Sequence, residues 1–257
     1  MISRRMVEIL RRLPGMTHGH LTSACATVLN VHGVAVSLVI DGGATALVAC
    51  SPGAARRFEE LEFTLGEGPG PDAIRLGRPV FLPDLTQDQG ALWPTLVPEC
   101  MGLDIQAVFC FPLCVGTTAI GVLTAVRTSP GPMTDQENED ALGLAAALTL
   151  QLLGGERHPY PTWISLNVPA VQHREIVHQA TGILSVQLML PPDEALIVLR
   201  AFAYASERTL WEVARDVVSR RVRLAEEAPG HTSRSSGTGQ GSPCSPEVSP
   251  CDHRGGC

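Results

Sequence analysis

The feature that most restricts this chain is a change of pattern near residue 160. Before it, short β-branched runs alternate with helical stretches. After it, residues 168–223 carry only helical periodicity. Between the two lies Gly154–Asn167, with Gly154-Gly155 and Pro159-Tyr160-Pro161, where glycine and proline end the preceding helix. The pattern predicts a linker over 154–167 joining two units with separate cores, and 257 residues suffice for both.

The first unit, 18–153, reads as α+β. His20 to Asn30 places Leu21, Ala24, Cys25, Val28 and Leu29 at helical spacing. Val34–Ile40 and Thr45–Cys50 read as two strands, with Asp41-Gly42-Gly43 as a hairpin turn. A helix containing Glu59, Glu60 and Leu61 follows Ser51-Pro52. Gly66-Glu67-Gly68-Pro69-Gly70-Pro71 reads as a loop, then Asp72–Leu76 as a short helix and Pro79–Leu82 as a short strand. Ile105–Leu113 and Ile120–Arg127 complete an antiparallel sheet. Thr134 with Glu137 forms a capping box for the helix that closes the unit. Residues 1–17 form a basic segment with no assigned structure. Residues 226–257, rich in Ser, Gly and Pro, are expected to be disordered because they bury too little to offset ordering entropy.

Composition excludes several chemistries. All 19 basic residues are arginine, so a phosphate loop built on Gly-Lys and a Schiff-base enzyme are both unavailable. The folded part offers no nucleophile–base pair and no metal-ligand cluster, and the chain is expected not to be an enzyme. Cys244, Cys251, His253 and Cys257 are soft ligands, but their spacing fits no standard zinc finger, and no metal site is expected. No apolar run reaches the about 18 residues of a membrane span, and no signal-peptide core follows the first arginines. A cytoplasmic location with reduced thiols is therefore expected, with Cys25, Cys50, Cys100, Cys110 and Cys114 as small core residues.

The second unit, 168–225, reads as three helices. The first presents Ile176, Ala180, Ile183, Leu184 and Leu188 on one face, and Pro191-Pro192 ends it. The second buries Ala195, Leu199, Phe202 and Ala203. The third opens on Thr209-Leu210-Trp211-Glu212, another capping box, and its stripe is Leu210, Val213, Ala214, Val217 and Val218. A core this small leaves no room for a substrate pocket, and such modules serve binding.

Ala180-Thr181-Gly182-Ile183-Leu184, Asp193-Glu194-Ala195-Leu196, Leu199-Arg200 and Leu210 through Val218 closely resemble an ANTAR domain. The resemblance implies a three-helix module that binds paired RNA stem-loops and prevents transcription termination. Many members carry lysine where this chain has Thr181, so His178 or Arg174 would have to supply the lost phosphate contact. Residues 165–225 hold seven arginines (174, 200, 208, 215, 220, 221, 223) and six acids (175, 193, 194, 207, 212, 216). That is +1 against a whole-chain charge of -7, which leaves -8 elsewhere. RNA loops are held by stacking on aromatic rings or guanidinium planes and by arginine on phosphates. The RNA-binding residues implied are His178, Thr181, Arg200, Tyr204, Arg208, Trp211 and Arg215. Trp211 fits equally well as a cover for the core edge, and Gly182 reads as a packing glycine. A DNA-binding role for the same helices is the alternative, although the helix from Thr209 is mixed in charge rather than basic.

Phe63-Thr64-Leu65-Gly66-Glu67-Gly68-Pro69, Gly77-Arg78-Pro79-Val80, Pro83-Asp84-Leu85, Trp93-Pro94 and Phe111-Pro112-Leu113 resemble a GAF domain. Gly121-Val122-Leu123 and Met133–Glu137 continue the match, which is of the type that precedes ANTAR modules in actinobacterial regulators. It implies a sensor of a small-molecule or redox signal, a homodimer in many members, and no particular cofactor. Relatives often carry cysteine after Gly-Glu-Gly-Pro; here Gly70 stands there and removes a thiol switch. His32 reads as structural rather than as a haem ligand, and Glu67, Asp72 and Asp84 as turn caps. Arg200→Ala or Arg215→Ala is expected to weaken hairpin binding while helicity persists. Unchanged affinity in both variants, by gel shift beside circular dichroism, removes the assignment.

Overall fold

The computed structural model describes residues 1–40, 45–87, 92–154, 161–164 and 169–224, without the side chains of 169–172. The expected turn at Asp41–Gly43 and the tail from 226 lie outside these.

β-Branched and small apolar runs form the five strands: β1 (Gly33–Val39), β2 (Thr45–Cys50), β3 (Val80–Leu82), β4 (Ala107–Val115) and β5 (Thr118–Arg127). They pair antiparallel in the order β2-β1-β5-β4-β3, with Val36 opposite Leu123 and Phe109 opposite Ala125. Six helices cover the sheet: α1 (Arg4–Arg12), α2 (His18–Val28), α3 (Ala54–Leu65), α4 (Pro69–Leu76), α5 (Leu96–Met101) and α6 (Asp135–Leu153). Side chains alternate along a strand, so each strand feeds two cores. Val36, Phe109, Phe111, Leu123 and Ala125 meet Met6, Leu21, Cys25, Leu144 and Leu148 on one face. Ala35, Val108, Cys110, Val122 and Val126 meet Phe58, Ala73, Leu96 and Cys100 on the other. Burial of both faces explains why the strands read as continuous apolar runs.

The capping box at Thr134 forms as expected, with Glu137 also paired to Arg127 at 2.9 Å. Three local readings change. The basic N-terminal segment is helical: Ser3 caps α1 by accepting the Met6 N–H, and Met6, Ile9 and Leu13 are buried. Pro69-Gly70-Pro71 belongs to α4, because a proline at the first helical position costs no hydrogen bond. Leu96–Met101 forms the unanticipated α5 despite Pro98, which lies in its first turn, where the N–H has no helical partner. The linker is also not free throughout. Trp163 is fully buried against the α2/α6 side of the sheet, and the Thr162 hydroxyl donates to the carbonyls of Met16 (2.9 Å) and Pro14 (3.1 Å).

The last three helices are α7 (Pro169–Leu188), α8 (Pro192–Ala205) and α9 (Leu210–Val218). Val177, Ala180 and Leu184 meet Ala195, Leu196, Leu199 and Ala203, and these meet Leu210, Val213, Ala214 and Val217. Phe63 of α3 completes this core, so the helical module is seated on the α/β domain. Among the described residues no single helix is long and apolar enough to cross a membrane.

Trp163→Ala removes a fully buried indole and is expected to cost about 3–5 kcal/mol. Urea denaturation checks this; an unchanged midpoint would mean that the linker contributes nothing to the core.

Candidate nucleic-acid interface

The Thr209/Glu212 capping box fixes where α9 starts, and with it which side chains turn outward. Leu210, Val213, Ala214 and Val217 point into the module, while Arg215 is exposed and Trp211, one turn before it on the same side, is half-buried beside α3. The Arg215 guanidinium lies 4.5 Å from the Trp211 ring centroid, and the exposed His173 ring of α7 lies 5.0 Å from it. Tyr204, at the end of α8, is 80% exposed. Arg208 pairs with Asp216 at 2.5 Å, and Asp216 also faces Arg221 at 3.7 Å. Arg220, Arg221 and Arg223 are exposed. The start of α9 therefore offers a half-buried indole with a guanidinium on it, beside a space lined also by Glu60, Phe63 and Thr64 of α3, while the three exposed arginines follow the other end of the helix.

The inner surface meets the α/β domain along a polar seam. Arg174 of α7 is 4% exposed. Its Nη2 donates to the Glu59 carboxylate (3.1 Å) and the Glu59 carbonyl (2.8 Å), and Nη1 to Ser37 Oγ (3.3 Å). Glu59 also accepts from the hydroxyls of Ser37 (2.7 Å) and Thr124 (2.9 Å), so both its oxygens are satisfied. Arg200 of α8 donates from Nε (3.1 Å) and Nη2 (2.6 Å) to the Phe63 carbonyl, an acceptor left open in the last turn of α3. The guanidinium carbons of Arg174 and Arg200 lie 4.6 and 5.8 Å from the same Phe63 ring. Burial and the neighbouring Arg174 cation hold the Arg200 pKa down to about 10.

Beside these groups the segment Gly66–Gly70 carries Glu62. Its Oε1 accepts the Gly70 N–H at 2.8 Å. A Cβ on Gly66 would strike Arg200, one on Gly68 would strike Glu62 Oε1, and one on Gly70 would sit 2.7 Å from Glu62 Oε2. The three glycines, two of them at positive φ, let charged groups lie directly on the backbone. Burial, then the nearby Glu59 carboxylate, push the Glu62 pKa well above its ordinary value.

Comparisons with known proteins follow the same division. A family model described as GAF domain matches residues 4–153, and one described as ANTAR domain matches 169–218. The chain belongs to the GAF domain family, with an ANTAR domain after it. No curated protein matches. Similar solved structures include the GAF domain of a phosphoenolpyruvate-protein phosphotransferase from Coxiella burnetii. It is 15% identical, with 59% of this chain and 96% of that chain covered and a TM-score of 0.46. Another is the GAF domain of the Acinetobacter phosphoenolpyruvate-protein phosphotransferase, at 14% identity, 58% and 92% coverage, and a TM-score of 0.42. GAF domains are sensory and ANTAR domains are RNA-binding antitermination modules, so the chain joins a sensor to a regulator.

The residues expected to hold RNA thus divide between two faces of the ANTAR domain. Arg215, Tyr204 and Arg208 lie outside, and Trp211 is half-buried at the edge next to α3. Arg200 is engaged by the GAF domain, contrary to its expected outward position. The Thr181 hydroxyl is buried and donates to the Val177 carbonyl at 2.8 Å, so it does not stand in for a lysine. Nor does Arg174, which is spent on Glu59. His178 is half-buried, edge-on to Phe63 at 5.8 Å, and burial lowers its pKa, which disfavours a phosphate-binding cation. Gly182 is exposed with nothing near a Cβ, so helix packing does not require it. His173 was missed on sequence; its partnership with Trp211 depends on how α7 packs on α9.

Of the GAF-domain acids, Glu67 and Asp84 act as caps, whereas Asp72 binds side chains rather than a turn. Glu67 accepts the N–H groups of Thr95 (2.8 Å) and Leu96 (2.9 Å) at the start of α5. Asp84 accepts from Thr86, and Asp72 from the Trp93 indole at 3.2 Å. His32 Nδ1 accepts the Thr128 N–H at 3.2 Å. Cys25, Cys50, Cys100 and Cys110 are buried; burial pushes the first three thiols up to about 12, which disfavours redox reactivity. Only Cys114, of the described cysteines, is partly exposed. Among the described residues no group of side chains could hold a metal ion. The tail residues Cys244, Cys251, His253 and Cys257 lie outside them.

Glu62 gives a pH signature. Its folded pKa is raised, so the folded protein binds a proton more tightly than the unfolded chain. Stability is then fullest below the ordinary glutamate pKa of 4.5 and falls as pH rises towards the raised value. Glu62→Gln cannot ionise and keeps an acceptor for Gly70. It is expected to be more stable than the parent at neutral pH, with the difference vanishing near pH 4.5. Urea titrations at several pH values check this; a less stable variant at neutral pH contradicts it.

Proposed function

We propose that the ANTAR domain binds paired RNA hairpins and acts in transcription antitermination under the control of a signal sensed by the GAF domain. The observation that carries this is the Arg215–Trp211–His173 cluster where α9 meets α7, with Arg215 and His173 exposed and the indole between them half-buried. An indole backed by a guanidinium is the arrangement that stacks an unpaired base and holds its phosphate. Tyr204 and the exposed Arg220, Arg221 and Arg223 extend the surface. The helix lacks the dense basic face expected for major-groove reading, which favours RNA over duplex DNA. Arg200 and His178 join this surface when the ANTAR domain leaves the GAF domain, so docking is the variable through which a signal acts. The activity is regulatory rather than catalytic.

Trp211→Ala is expected to weaken tandem-hairpin binding by about 1–3 kcal/mol. Arg174→Ala, which unpairs the seam, is expected to strengthen it. Gel shifts with tandem hairpins, single hairpins and duplex DNA at several salt concentrations check both. Preference for duplex DNA, or full affinity in Trp211→Ala, rejects this reading.

A further inference from the structure

A cavity of about 260 Å³ lies on the seam between the two domains. Its GAF side is Ser37, Glu62, Phe63, Ile74 and Val122, and its ANTAR side is Arg174, Leu196 and Arg200. At roughly 30 Å³ per water-sized group it admits about nine non-hydrogen atoms.

Two charges facing this space are poorly matched. Glu62 Oε2 makes no hydrogen bond among the described residues, while Oε1 is held by Gly70. Arg200 has Nε and Nη2 on a carbonyl, an uncharged partner, and Nη1 makes no hydrogen bond among the described residues. Each also lies near a like charge: Glu62 near Glu59, and Arg200 near Arg174, which shares the Phe63 ring with it. A cation beside Glu62 and an anion beside Arg200 relieve both strains at once. The apolar part of the lining is Phe63, Ile74, Val122, Leu196 and Ile197; Asp193 of α8 is the one further acid on the ANTAR side, and it makes no ion pair with Arg200 among the described residues.

We propose that this cavity binds a small zwitterion with an apolar stem, of the size and chemistry of an apolar α-amino acid, and that the bound molecule holds the ANTAR domain on the GAF domain. Its ammonium faces Glu62 and its carboxylate faces Arg200 Nη1. Its walls come from both domains, so it binds the docked state and stabilises it by mass action. The effect on RNA rests on the function proposed above: RNA that needs Arg200 competes with the ligand, and each lowers the affinity for the other.

Calorimetric titration of the full chain, without RNA, uses leucine, isoleucine, valine and methionine. Isopentylamine and 4-methylpentanoate serve as the two halves of the molecule. Saturable one-to-one binding of at least one amino acid is expected, with each half at least about tenfold weaker. Glu62→Gln weakens binding by roughly tenfold or more while remaining folded. Ile74→Trp, which fills the cavity, abolishes it. No binding of any of the four at millimolar concentration overturns the proposal, as does binding that survives both substitutions. With ligand bound, hairpin affinity is expected to fall; an unchanged or raised affinity overturns the coupling. Absence of hairpin binding with and without ligand rejects the RNA reading alone, because the titration does not depend on it.

Discussion

The arrangement of this protein hangs on one guanidinium. Arg174 leaves α7 and enters the α/β domain, where water no longer solvates it. Burying a charge costs several kcal/mol unless the geometry restores its hydrogen bonds. Here the Glu59 carboxylate and carbonyl, with the Ser37 hydroxyl, restore those of Nη1 and Nη2, Nε keeps no partner among the described residues, and Thr124 saturates the other carboxylate oxygen. Such a pair adds little net stability over an apolar contact, but it is intolerant of displacement. It therefore sets one position of α7 against α3. That position brings Arg200 to the end of α3 and His178 against Phe63.

The same seam explains the glycines after α3. Gly66, Gly68 and Gly70 are where Arg200 and Glu62 touch backbone, and any Cβ would displace one or the other. Gly70 occupies the place where relatives often carry cysteine; in this chain the space belongs to Glu62. A buried glutamate beside a second carboxylate is a poor choice for stability. Polar groups kept at such cost belong more often to binding sites than to cores. The buried thiols are the contrasting case: they are ordinary packing atoms that burial has made unreactive.

Much of this was legible in residue order, where the signal is local. The short apolar, β-branched runs located the strands of the described sheet, and Thr134-x-x-Glu137 and Thr209-x-x-Glu212 marked two helix starts as the structure has them. What escaped was non-local. The first helix is short and carries four arginines, and only the core behind it gives Met6 and Ile9 a reason to fold. Trp163 sits among linker residues that carry no periodicity, yet it finds a site beside the sheet. Gly182 looked like a packing residue because it interrupts an apolar stripe; its exposure follows from the rotation of α7.

The sequence by itself determined the element types, an antiparallel sheet between helices followed by three helices, because hydrophobic period and cap chemistry are properties of short windows. It also put Trp211 and Arg215 side by side, since i,i+4 residues on a capped helix are neighbours, but left open whether that side covers the core edge. Which arginines face solvent was decided by tertiary structure alone. Arg174, Arg200 and Arg215 look alike in the chain; one pairs with Glu59, one caps α3 and one lies on an indole. That division comes from acceptors in residues more than a hundred positions away, which no local pattern encodes.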